Sequence, residues 1–80
     1  MLDRISMRMR QPIMGDIRIV LAKELDRAVP VVAACPSTAT AAVAAEREAQ
    51  RIAASLHTNG PMFRDLIAEE LANVAHPHAG

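Results

Sequence analysis

An all-α fold is predicted by three features of the chain. Apolar residues return every three or four positions over its long stretches, and the segment from Ala39 to His57 contains neither Gly nor Pro. Aromatic residues make up only 1% of a chain that is 51% hydrophobic. The first feature is the period of a helix with one buried face, and the second leaves nothing to interrupt that helix. The third leaves a core of Ala, Val, Ile, Leu and Met, which must be thin and must bring its helices close together. The expectation is a small three-helix domain built around a helical hairpin.

Eighty residues make one domain, 1–80, with an N-terminal arm over 1–12 and a flexible tail over 76–80. The arm reads two ways. Ile5, Met7 and Met9 alternate with Ser6, Arg8 and Arg10, which allows a short strand over 4–10, yet Leu2, Ile5 and Met9 also share one helix face. Pro12 ends either element. Ile17, Leu21, Leu25 and Ala28 then define a helix over 14–29, with Arg18, Lys23, Asp26 and Arg27 outside. Asp16 is placed to cap its start, and Pro30 predicts a stop or kink near 28–29.

The apolar run Val31 to Cys35 between two prolines is open to strand, helix or linker. Pro36-Ser37-Thr38 supplies the start of a helix over 39–58. Along it Ala42, Ala45, Ala49, Ile52 and Leu56 repeat at heptad spacing, a seam of small residues that allows close helix approach. Asn59-Gly60-Pro61 is a corner, with Gly suited to a helix end and Pro to the first position of the next helix. The last helix, 61–75, presents Phe63, Leu66, Ile67, Leu71 and Val74 inward. It runs antiparallel to 39–58, because so short a corner permits nothing else.

Nine basic and nine acidic residues give zero formal charge, which removes the broad electrostatic argument for nucleic acid or anionic lipid. The charge is graded, from about +2 over residues 1–15 to about −2 over 61–80. Cys35 is alone, so a reducing cytoplasm is the expected location. Asp3, Arg4, Arg8 and Arg10 stand where a signal peptide needs an apolar core, and no stretch approaches the roughly 18 apolar residues of a membrane span. Eight Arg against one Lys, with abundant Ala, fits a high-GC bacterial or phage source.

No catalytic constellation is legible, so the chain is expected not to be an enzyme and to need no cofactor or metal. Cys35 precedes a helix start, where a thiol can be activated, but no motif ties His57, His76 or His78 to it, and a small apolar packing residue is the plain reading. His76-Pro77-His78 lacks further ligands, and His57 is explained by its helix end. Glu69 and Glu70 point about 100° apart on a helix and cannot share one acid/base site; both are expected in solvent. The glycines, Gly15, Gly60 and Gly80, form no phosphate loop.

The expected function is therefore a small interaction or assembly module, completed by copies of itself or by a larger protein. Its helix-interface residues are Ala42, Ala45, Ala49, Ile52, Leu56, Phe63, Ile67 and Leu71, with the alanine seam as the site of self-association. The alternative rests on the N-terminal arm. If 4–10 is a strand, Ser6, Arg8 and Arg10 project from one face, as a ribbon reading a DNA major groove requires. In the order strand, helix, helix, residues 4–57 resemble the ribbon-helix-helix repressors. That resemblance implies a dimeric DNA-binding regulator or antitoxin, with 61–75 as an appended partner-binding helix. The long Val29–Ser37 connection departs from the short glycine-containing turn of that family.

Overall fold

The computed structural model describes residues 1–57 and 61–75. It is 83% helical. The helices are α1 (Leu2–Met9), α2 (Gly15–Ala33), α3 (Thr38–Ser55) and α4 (Pro61–Ala75), so the all-α expectation holds with one helix more than foreseen. The Asn59-Gly60 corner and the tail 76–80, with His76 and His78, lie outside the described residues.

The ambiguous arm is a helix, not a strand over 4–10, and no strand exists among the described residues. A lone strand would leave its backbone groups unpaired, whereas a helix satisfies them internally. The helix also puts Ile5 fully into the core, with Leu2 and Met9 packed beside it. α1 closes on Arg10, whose left-handed φ of 58° lets its N–H donate to the Met7 carbonyl at 3.1 Å. Gly15 at φ 70° completes the turn into α2, a backbone conformation that glycine adopts without steric cost.

α2 overruns its expected end at 28–29 and carries Pro30 in its interior. Pro30 lies on the solvent side, and its carbonyl still accepts from the Ala34 N–H at 3.0 Å. The extra turn delivers Val32 fully into the core, and that burial offsets the lost backbone bond. The open segment 31–35 is thus mostly helix. Asp16 does not cap α2: Met14 holds the cap position without a side-chain bond, and Asp16 is a first-turn acid complementing the helix dipole.

α3 starts on a reciprocal capping box. Ser37 Oγ accepts from the Thr40 N–H and Thr40 Oγ1 accepts from the Ser37 N–H, both at 3.2 Å. α3 and α4 pack most extensively of all the helix pairs. They are antiparallel: Gln50 shares a surface hollow with Arg64, and Ala42 shares another with Ala72.

The core takes Leu21, Leu25, Ala28 and Val32 from α2, and Ala41, Ala45, Ala49, Ile52 and Ala53 from α3. α4 adds Phe63, Leu66, Ile67 and Leu71. Three expected positions differ. Ala42 is exposed and Ala41 is buried instead, because α3 is covered from two sides, by α2 and α4, which turns its buried stripe toward Ala41. Ile17 lies beyond the reach of the covering helices at the start of α2, and Val74 near the end of α4; both are exposed. Leu56 is half-buried.

Candidate interaction surface

The charged side chains of α1 are engaged within the chain. Arg4 and Arg8, four residues apart on one flank of α1, face Glu69 and Glu70 of α4. Arg8 Nη2 donates to Glu69 Oε2 at 3.0 Å, its Nη1 lies 3.5 Å from Glu70 Oε1, and Arg4 Nε lies 3.8 Å from the same oxygen. The hydrogen bond to Glu69 is the largest of the influences that raise the Arg8 guanidinium above its ordinary pKa. A cation held that way keeps its contribution below its unfolded pKa and loses it only beyond the ordinary arginine range. This contact is therefore indifferent to pH on the basic side up to that range and sensitive to salt.

Glu70 is not in solvent as expected. It is 2% exposed, and its Oε2 has no hydrogen-bond partner, so the arginines of α1 are what neutralise a buried carboxylate. The acids the basic arm meets belong to its own chain. Ser6, Arg8 and Arg10 consequently do not form the outward row of a ribbon: Ser6 and Arg8 lie on different sides of α1, Arg10 stands at its left-handed end, Ser6 is half-buried, and Arg8 is occupied. The structural premise of the ribbon-helix-helix resemblance falls with the strand.

The alanine seam is likewise consumed inside the chain. Ala45, Ala49 and Ile52 are covered by α2 and α4, as are Phe63, Ile67 and Leu71 by their neighbours. What remains open is a different surface. On α2 Ile17 is 53% exposed, Val20 39% and Val31 50%, and on α3 Val43 is 57% exposed. Val31 and Val43 line a groove of about 290 Å³ between α2 and α3 together with Thr40, Ala44, Arg47 and Glu48. At the opposite end of α2, Ile17 opens into an apolar cleft of about 520 Å³ lined by Met9, Ile13, Met14 and Phe63.

Between these apolar ends sits a charged cluster. Glu24 accepts from Arg51 of α3 and lies 3.8 Å from Arg27, one turn further along α2; Arg51 also donates to Glu48 at 2.7 Å. The hydrogen bonds to Glu24 and then Glu48 raise the Arg51 guanidinium above its ordinary value, and the contact to Glu24 ties α2 to α3.

Sequence reasoning assigned Ile17 to the core stripe of α2 and left Val43 unremarked, and so missed this surface. Its signal is a second three-and-four repeat on α2, obscured because its middle positions are charged. Cys35 is half-buried, with its thiol 3.6 Å from the Val31 carbonyl. His57 occupies a left-handed position after α3, its N–H bonded to Ala54. Among the described residues no group of His, Cys, Asp and Glu could hold a metal ion, and no helix is long and apolar enough to cross a membrane. No family model matches the chain, and neither the curated proteins nor the solved structures contain a significant match to it.

Proposed function

We propose that the chain is a non-enzymatic helical assembly module of the bacterial or phage cytoplasm, completed by self-association or by a larger protein. The observation that carries this reading is the exposed apolar flank of α2, with Ile17, Val20 and Val31 continued by Val43 of α3. Single exposed apolar residues are ordinary, but groups of them lining a hollow at each end of one helix are a feature of interaction sites. A core in which five of the fifteen buried apolar residues among those described are alanine gives a second support, since so thin a core gains from a further covered face. DNA binding has no comparable support, because Arg4 and Arg8 are committed to Glu69 and Glu70.

Sedimentation equilibrium from micromolar to millimolar concentration tests the self-association form, with assembly above the monomer expected. A strict monomer, together with failure of Val20→Asp to change any association in cells, would sink the reading.

A further inference from the structure

α1 is held to the rest of the chain by a small set of contacts. One of its residues, Ile5, is fully buried, with Leu2 and Met9 packed beside it. Its polar attachment is ionic: Arg4 and Arg8 answer Glu69 and Glu70 of α4, and Asp3 lies 3.1 Å from Arg18 of α2. So short a helix does not persist by itself in water, so α1 is formed where it is docked. Without it the Glu70 carboxylate would lose both of its arginines, and its Oε2 has no hydrogen-bond partner even in the closed chain. The place that α1 fills therefore calls for an apolar residue beside two arginines four apart on one helix. A second copy of α1 brings that set.

The joint that follows α1 is built to open. Arg10, Gln11 and Pro12 are all exposed. The Arg10 N–H donates to the Met7 carbonyl and the Gln11 N–H to the Ser6 carbonyl, so both bonds belong to the end of α1 itself. They close the helix in the manner of a Schellman motif, whose left-handed residue is usually glycine. Here it is Arg10 at φ 58°, a conformation in which an L side chain crowds the following carbonyl oxygen. Ile13, buried and with its carbonyl accepting from Arg18 at 3.3 Å, ties the far side of the joint to α2. Rotation over Arg10–Pro12 thus relieves Arg10 and swings α1 away while the start of α2 stays in place.

We infer that two copies of this chain exchange α1, each helix docking on α4 of the other copy, with Ile5 in that copy's core and Arg4 and Arg8 on its Glu69 and Glu70. Exchange re-forms every contact that α1 makes in the closed chain, so the balance between monomer and dimer is set at the joint. The inference rests on the self-association form of the reading above, and places the exchange at α1 rather than on the open flank of α2.

Cross-linking tests it in a Cys35→Ser background, which removes the natural thiol. Arg8→Cys and Glu69→Cys are prepared on separate chains, with the double variant on one chain as the reference for a closed monomer, and circular dichroism verifies that each is folded. The two single variants are refolded together at a concentration where the wild type is dimeric and treated with a short bis-maleimide. A covalent dimer joined from position 8 to position 69 is expected, whereas the double variant in dilute solution is expected to link within one chain. Arg10→Gly removes the crowding from the closed form and is expected to weaken dimerisation about tenfold. An Arg10→Gly dimer as tight as the wild type would overturn the inference. So would a dimer whose mixture yields no 8-to-69 product while the double variant links within its own chain, and the assembly reading would then stand on another face. A wild-type chain that is monomeric from micromolar to millimolar concentration would overturn the inference and leave that reading only a foreign partner.

Discussion

Two faces of α2 carry the same spacing and have opposite fates. Leu21, Leu25, Ala28 and Val32 are covered by α3 and α4, with at most 2% of any of them exposed. Ile17, Val20, Glu24, Arg27 and Val31 repeat at the same intervals of three and four, about 90° away; the three apolar residues and Arg27 stay open, while Glu24 is 14% exposed and held by Arg51. The difference lies in the centre of each stripe. An uninterrupted apolar stripe gains at every position when the chain collapses on itself. In the second stripe Arg27 stays in water, and Glu24 is covered only where Arg51 of α3 and Arg27 answer its charge. Helical period thus marks faces that could pack, and the charges within them sort inward faces from outward ones.

The comparison breaks most readily at its buried half. Leu25→Ala removes a core side chain and is expected to cost about 2–5 kcal/mol, read as a shift in the urea midpoint at constant slope. Next in size is Ala49→Leu on α3, where the seam has no room for added methylenes: about 1–3 kcal/mol of destabilisation by overpacking is expected in the same measurement. A tolerated Ala49→Leu would mean that α3 is less tightly held against α2 and α4 than its burial implies.

Pro30 sharpens the comparison because the turn that follows it supplies the last member of both stripes, Val32 inward and Val31 outward. Pro30→Ala restores a missing backbone donor in the helix interior. It is expected to stabilise the fold by about 1 kcal/mol, the gain being reduced by the freedom regained in the unfolded chain. A thermal melt with raised midpoint checks it, and a fall would show that the proline fixes the path of α2. The smallest effect belongs to the open stripe: Val31→Ala is expected to change monomer stability by less than about 0.5 kcal/mol. A larger loss in dilute solution would mean that Val31 is covered by its own chain.

Much of the architecture was legible in the sequence, for local reasons. The absence of Gly and Pro over 39–57 specifies α3, Ser37 specifies its start, and Phe63, Leu66, Ile67 and Leu71 specify the inner face of α4. The candidate surface was not legible in the same way. Glu69 and Glu70, adjacent acids with one outside and one buried, could not be told apart, because their difference is set by Arg4 and Arg8 some sixty residues earlier. Residues 4–10 satisfy both periods over so short a window, and only contact with α4 selected the helix.

By itself, the sequence determined that this protein is helical, where its two longest helices lie within a few residues, and that its core would be aliphatic and thin. Those properties follow from backbone propensity, side-chain period and the turn chemistry of proline and glycine, all of which act between near neighbours. Tertiary structure decided that α1 is a helix, that α2 passes through Pro30, and that Ala41 rather than Ala42 faces inward. It also decided that the basic arm is answered by acids of its own chain and that the flank of α2 is the face left open. Each of those outcomes depends on which distant surfaces meet, because burial and charge pairing are energies of contact and are fixed only when the helices have been brought together.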